Sequence, residues 1–401
     1  MAEKMKHILI FSHALELGGA ERALIGLLHA LDYSKVRVDL FLMRHEGELM
    51  GDIPEQVNLL PEKPQYASLA VPLSTVLRKG QLGVGLGRFL GRQAAKRRRR
   101  TLGITSGSTI SLDFSHKYTR PFMPKVGNGT YDLAVSFLTP HYFVAEKVRA
   151  KKKVAWIHTD YTKISVDRES ELPMWSRYDH IASISDTVGE CFTQVFPELA
   201  DRLVKIGNIL PAALVRRAAE GACPPDLPQD GSIRILSIGR YCEAKNFDNV
   251  PDICRRIRQT GLDVKWYLIG FGSDEALIRS KIAEAGMEDH VIMLGKREDP
   301  YPYIAGCDLY AQPSRYEGNS VTVREAQVLA KPVVITRYPT SASQLEEGVD
   351  GVIVPMDNAG CAAGIAALLR DPEKMSAISE ACRRGDYSNA GQAEKLMELL
   401  K

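Results

Sequence analysis

Short apolar runs alternate with amphipathic stretches along most of the chain, and their spacing predicts strands alternating with helices. His7–Phe11 is the first apolar run. A loop with Gly18 and Gly19 follows, and Ala20–Leu31 then sets Leu24, Leu27, Leu28 and Leu31 at helical spacing. Val36–Met43, Leu133–Phe137, Val154–Ile157, His180–Ile184 and Leu203–Ile206 read as further strands. A second series runs through strands Ile233–Ile238, Val264–Ile269, Val291–Leu294, Leu309–Ala311, Val333–Thr336 and Val352–Val354. Helices are expected over Asp248–Gln259, Asp274–Ala285 and Ser320–Ala330. Such alternation predicts parallel sheets covered by helices on both faces, with ligands at the carboxyl ends of the strands.

The 401 residues suit two domains. Residues 1–210 read as a first Rossmann-like domain and 232–385 as a second. Residues 386–401 read as a terminal helix that packs back on the first domain. Pro211, Pro224, Pro225, Pro228 and Asp230-Gly231 give residues 211–231 the chemistry of a linker. The expected class is α/β, with the two Rossmann-like domains facing a central cleft. Between Glu62 and Asp113 there is no acidic residue. That interval holds Arg78, Lys79, Arg88, Arg92, Lys96 and Arg97–Arg100, interleaved with Leu82, Val84, Leu86, Phe89 and Leu90. Residues 60–125 are therefore read as a basic insertion, with Arg78–Arg100 suited to an anionic membrane surface.

With 45% hydrophobic and 25% charged residues and a net charge of +3, the composition is that of a soluble protein. No apolar run reaches the ~18 residues that span a bilayer, and no apolar leader precedes Lys6. The expected location is cytoplasmic and peripheral, at the inner face of the cytoplasmic membrane. The seven Cys are scattered without a Cys-x-x-Cys pair, which suggests neither a disulfide framework nor a zinc site.

The most specific signal is Arg315-Tyr316-Glu317-Gly318-Asn319-Ser320-Val321-Thr322-Val323-Arg324-Glu325. Two carboxylates stand eight positions apart, one in the loop after strand Leu309–Ala311 and one in the helix that follows. A helix start offers unpaired amides and a positive dipole end, so it favours an anion. A diphosphate on the amides around Ser320 and Val321 would leave Glu325 to accept from ribose hydroxyls and Glu317 from sugar hydroxyls.

Here the chain resembles glycosyltransferase family 4, which has the GT-B fold and a Glu-x7-Glu motif in this setting. Gly239-Arg240 and Lys245-Asn246 match that family's phosphate-holding Arg and Lys. Ile269-Gly270-Phe271-Gly272 matches its glycine turn, and Gly18-Gly19-Ala20-Glu21 its amino-terminal glycine loop. His158 falls where the family carries an active-site His. The resemblance covers nearly all of residues 230–356, with scattered matches in 6–43 and 153–210. It implies a retaining transferase moving a hexosyl-type sugar from a nucleotide-sugar, UDP-linked for preference. The implied acceptor is a saccharide or a polyprenyl-diphosphate-linked saccharide of capsule or exopolysaccharide synthesis. Glu317, His158, Arg240 and Lys245 would be catalytic. Gly18, Gly19, Gly270, Lys296, Arg297, Gly318, Asn319, Ser320, Val321 and Glu325 would complete the donor site. No Asp-x-Asp pair stands at a strand end, so neither a metal nor another cofactor is expected.

Two other readings compete. A GT-B-fold nucleotide-sugar epimerase needs carboxylates in the first domain, and no motif there supplies them. A nucleic-acid-binding protein is suggested by Arg97–Arg100, but that run lacks stacking aromatics beyond Phe89. No nucleic-acid partner is expected.

Overall fold

The computed structural model describes residues 5–16, 18–104, 109–221, 223–318 and 320–400. The chain divides into two compact units, Met1–Ile209 with Ala390–Lys401, and Leu210–Asn389.

The first unit holds a seven-stranded sheet. Its strands are β1 (Lys6–Ser12), β2 (Val36–Leu42), β3 (Asn58–Leu59), β4 (Tyr131–Ser136), β5 (Ala150–Ile157), β6 (His180–Ser183) and β7 (Leu203–Lys205), in the order β3-β2-β1-β4-β5-β6-β7. Ile8, Leu9, Ile10 and Phe11 of β1 are all fully buried, as a strand covered on both faces requires. The chain runs outward from β1 to β3 and then returns to pair β4 with β1, so the switch point lies between β1 and β4.

Residues 60–125, expected as an insertion, are this return crossover. It contains helix Leu82–Thr101 packed along helix Ile110–Thr119. Glycines bring the two helices together. A Cβ at Gly87 would lie 2.8 Å from the Tyr118 carbonyl oxygen, and one at Gly91 2.6 Å from that of Phe114. Tyr66, also in the crossover, sits edge-on against Phe41 and Phe143 over the sheet. Its hydroxyl donates to the Pro124 carbonyl at 2.6 Å. The edge strand β3 carries too little apolar pattern to be read from sequence.

The second unit has six parallel strands: β8 (Ile233–Ile238), β9 (Val264–Ile269), β10 (Val291–Gly295), β11 (Leu309–Gln312), β12 (Val333–Thr336) and β13 (Val352–Val354). Their order is β10-β9-β8-β11-β12-β13, with the switch point between β8 and β11. Alternate residues feed two cores. Val264, Trp266 and Leu268 of β9 enter one, while Tyr267 and Ile269 enter the other. The expected helices are present within two residues at each end: Val250–Gln259, Glu275–Ala285 and Val321–Val328.

Residues 211–231 are not a bare linker. They include helix Ala212–Ala218, whose Val215 packs with Leu210 against Val328 in the second unit. Helix Gln392–Glu398 belongs to the first unit, where the Gln392 side-chain oxygen accepts from the Gly207 amide at 3.1 Å.

Candidate functional site

In the second unit the Arg240, Lys245 and Glu317 loops meet at the carboxyl ends of β8 and β11, the two strands that flank the switch point. The loop after β8 is held down by backbone pairing: the Gly239 amide donates to the Ile269 carbonyl at 3.0 Å and the Tyr241 amide to that of Phe271 at 2.8 Å. This contact explains the glycine turn. A Cβ at Gly270 would stand 1.9 Å from the Gly239 oxygen, and one at Gly272 2.2 Å from that of Tyr241. Gly270 therefore serves close backbone packing beneath Arg240.

The loop after β11 is tied to the loop after β8. The Arg315 amide donates to the Ala244 carbonyl at 2.8 Å, and the Arg315 guanidinium makes two hydrogen bonds to Asp248, at 2.8 and 3.0 Å. Asn246, at a left-handed φ of 60°, donates through its side chain to the Pro313 carbonyl at 2.9 Å. These ties bring Lys245 Nζ to 2.5 Å from Glu317 Oε1.

Glu317 is also fixed from below. Tyr310 OH donates to Gln312 Oε1 at 2.8 Å, Gln312 Nε2 to Ser314 Oγ at 3.0 Å, and Ser314 Oγ to Glu317 Oε1 at 2.6 Å. Sequence reasoning did not find this buried polar relay. The alternation of Tyr310, Gln312 and Ser314 along β11 and the two residues after it was its only signal. Arg240 is exposed and has no side-chain partner among the described residues.

The helix start differs from expectation in one respect. The Ser320 amide, counted among those free for a ligand, donates to Gln344 Oε1 at 2.7 Å. The amides at the helix start that remain are those of Val321 and the next residues, which helix geometry leaves without an intrahelical acceptor. Gly318 lies in the loop before them, and Asn319 lies outside the described residues. Glu325 is fully buried and accepts from Tyr301 OH at 3.2 Å. Of the two basic residues expected beside the base, Arg297 is engaged by Asp226 at 2.5 Å and by Tyr303 OH at 2.8 Å. Lys296 stands 5.9 Å from the Phe271 ring centroid.

In the first unit Gly18 precedes helix Gly19–Ala30, and its carbonyl accepts from the Arg22 amide at 3.0 Å. His158 follows β5. Its Nε2 bonds the Phe137 carbonyl at 3.0 Å, which leaves Nδ1 buried and unpartnered. Burial lowers its pKa to about 4, against the smaller opposing effect of that carbonyl. The imidazole is thus neutral near pH 7, with an acceptor nitrogen free.

His158 lines a cavity of about 230 Å³ together with Asp113, Trp156, Tyr161, Glu171 and Trp175. Burial first, and the neighbouring Asp113 second, raise the Glu171 pKa to about 8. Asp113 is itself raised by burial. This pair of acids in the first unit, 58 positions apart in sequence (171 − 113), escaped the motif reading because only folding unites it.

Residues 225–385 match the family model of glycosyl transferases group 1. The chain is similar to the amylovoran biosynthesis glycosyltransferase AmsK of Erwinia amylovora, 30% identical over 149 residues, 35% of this chain and 37% of that protein. It is also similar to the N-acetylgalactosamine-N,N'-diacetylbacillosaminyl-diphospho-undecaprenol 4-alpha-N-acetylgalactosaminyltransferase of Campylobacter jejuni, 30% identical over 125 residues, 31% of this chain and 33% of that protein. The chain thus spans about a third of the length of these relatives. Among solved structures, Anabaena HepE in complex with UDP-glucose superposes with a TM-score of 0.65 at 18% identity, covering 98% of this chain and 100% of that one. S. aureus TarM gives 0.67 at 13% identity, covering 99% of each chain. Across both units these likenesses establish architecture. The match to the glycosyl transferases group 1 model lies within the second unit, and the chain has the GT-B fold.

Proposed function

We propose that this protein transfers a hexosyl-type sugar, with retention of configuration, from a UDP-linked donor to a saccharide or lipid-linked saccharide acceptor in bacterial cell-surface polysaccharide synthesis. The observation that carries this reading is the Lys245–Glu317 pair set beside the exposed Arg240 at the β8–β11 switch point. Departure of a nucleoside diphosphate piles negative charge on its terminal phosphate. A preorganised cation at that point lowers the barrier more than one that must be recruited. Arg240 supplies a fork of donors, Lys245 a point charge, and the helix beginning at Val321 its positive end. Glu317 orients Lys245 and accepts from sugar hydroxyls. His158 accepts a hydrogen bond from a sugar hydroxyl at Nδ1.

Transfer on this reading needs no metal, because fixed protein charges neutralise the diphosphate. Initial rates with radiolabelled UDP-sugars and crude membrane lipids, with and without EDTA, test it. Arg240→Ala cripples transfer and EDTA leaves it unchanged. A loss above about tenfold on chelation, ~1.4 kcal/mol of barrier, overturns the metal-free reading if Mg2+ or Mn2+ restores the rate. Release of an epimerised sugar nucleotide without acceptor overturns the transferase reading itself.

The crossover supports membrane attachment in a narrower form than its charge count suggested. Arg98 is committed to Asp167 at 2.6 Å, and Arg88 to the Ser68 carbonyl at 2.7 Å. The exposed face of helix Leu82–Thr101 keeps Leu82, Leu86, Phe89 and Leu90 in its first turns, then Arg92, Lys96, Arg97 and Arg100. Apolar contact followed by basic residues fits the interface of an anionic leaflet. No described helix is long and apolar enough to cross a membrane. Flotation with phosphatidylglycerol vesicles at low salt decides the point, and a protein that stays at the bottom of the gradient removes it.

A further inference from the structure

After β12 the chain runs through a short hydroxyl-rich segment, residues 337–344. Tyr338 and Leu345 anchor it at either end, both buried in the apolar core that also holds Tyr310 and Val323. Between them Thr340 precedes the helical turn Ser341–Gln344. Positions four apart on such a turn share one face. Thr340 and Gln344 are accordingly buried together, while Ala342 and Ser343 between them are exposed.

A buried hydroxyl or carboxamide is tolerated only where it is hydrogen-bonded. Thr340 stands at the N-cap position, where a Thr side chain ordinarily bonds its own helix, and it makes no such bond. Its Oγ1 donates instead to the Glu317 carbonyl at 2.8 Å. Gln344, 2% exposed, turns both ends of its carboxamide on one residue. Its Oε1 accepts from the Ser320 amide at 2.7 Å, and its Nε2 donates to the Ser320 carbonyl at 3.3 Å. These backbone partners fix which end of the carboxamide is oxygen.

The division of labour is clear at Glu317. Lys245 and Ser314 hold its carboxylate, and Thr340 holds its backbone. Ser320 depends on Gln344 in the same way. It is the N-cap of helix Val321–Val328, yet its side chain makes no cap bond and lies 3.1 Å from Thr322 Oγ1. Its carbonyl also accepts from the Arg324 amide at 3.4 Å, within the first turn of that helix. By bonding both backbone groups of Ser320, Gln344 sets the direction in which the helix starts. Amides that stabilise a departing diphosphate act best when their aim is fixed before the ligand arrives.

Resting on the transferase reading, we infer that Thr340 and Gln344 are positioning residues for the diphosphate. Gln344 aims the amides at the start of helix Val321–Val328, and Thr340 keeps the Glu317 backbone in register with Lys245. Both act through the loop they hold.

The full-length protein and the variants Gln344→Met, Thr340→Val and Thr340→Ser are titrated separately with UDP and with uridine, and assayed for transfer from UDP-sugars. Met matches the length of Gln and cannot bond Ser320. Gln344→Met weakens UDP roughly tenfold or more, the scale of a small misplacement at a reacting centre. Uridine binding stays within about twofold, because Glu325, on the nucleoside side of this reading, is held by Tyr301 and not by Gln344. Thr340→Val lowers kcat roughly tenfold and changes the donor KM by less than about threefold. Thr340→Ser, which keeps the hydroxyl, returns to within about threefold of wild type. Circular dichroism checks each fold, and if Gln344→Met does not fold, the Val and Ser variants of Thr340 decide alone. Unchanged UDP affinity in Gln344→Met, equal weakening of UDP and uridine, or a Ser variant no better than Val overturns the positioning role. A wild-type protein that does not bind UDP overturns it together with the UDP donor. UDP binding that depends on Gln344 in a protein that transfers no sugar overturns the transferase reading and leaves the positioning role standing.

Discussion

The two units are built on the same plan and end in opposite chemistry. Each has a parallel sheet whose strand order reverses after the third strand, and each sets its functional groups at the carboxyl edge near that reversal. In the second unit the groups there are charged and mutually engaged: Lys245 with Glu317, and Arg315 with Asp248. In the first they are buried and partly unsatisfied: His158 Nδ1, Trp156 Nε1 and two acids whose pKa values burial has raised. Topology places a site, and the side chains at the strand ends decide what it binds. A site for a leaving diphosphate needs fixed charge.

The largest expected effect breaks the charged site. Glu317→Gln lowers kcat by roughly 10²-fold or more, the scale seen when one preorganised charge-stabilising group is lost, and circular dichroism shows an unchanged fold. Because Glu317 and Lys245 act as a pair, Glu317→Gln with Lys245→Ala costs much less than the product of the single losses. Strictly multiplicative losses mean that the two residues act independently.

A smaller effect separates binding from turnover within the same unit. Glu325→Ala raises the donor KM roughly tenfold and changes kcat by less than about threefold. It also lowers Tm, because Tyr301 OH loses a buried acceptor. If Glu325→Ala instead lowers kcat as Glu317→Gln does, the division of roles between the two carboxylates is wrong.

The smallest effect sharpens the contrast from the buried side. An acid raised from 4.5 to about 8 on folding keeps its proton in the native state while the unfolded chain loses it, so its contribution to stability declines as pH rises through that window. Asp113 and Asp167 face Glu171 and push in the same direction, while the Trp175 N–H opposes them. The Tm of Glu171→Gln minus that of wild type therefore grows from pH 4.5 towards pH 8. A difference that is flat with pH means Glu171 is ionised in the fold.

The legible and illegible parts of the site follow sequence distance. Arg240, Lys245, Glu317 and Glu325 could be singled out because each sits within a few residues of a strand end or helix start, where local pattern announces position. The role of Gly270 was not readable, since its reason is the Gly239 carbonyl, 31 positions away (270 − 239). Gln344, which occupies the Ser320 amide, lies 24 positions on and in no motif. The commitments of Arg88 and Arg98 were hidden in the same way. A run of basic residues looks uniformly solvated until the fold shows which of them turn inward.

Taken alone, the sequence determined the class, the two sheets, and the Glu317 and Arg240 ends of the second unit. Apolar periodicity and strand-end glycines are local, and the Glu-x7-Glu spacing is fixed along one segment. Only the tertiary structure decided that residues 60–125 cross over to β4 instead of forming an appendage. It alone joined Lys245 to Glu317 across 72 positions. It alone enclosed Asp113, Glu171, Trp156 and His158 around one cavity. The physical reason is the same each time. Desolvation and pairing depend on which groups come within a few ångströms, and a sheet that reverses direction brings together residues that no periodicity connects.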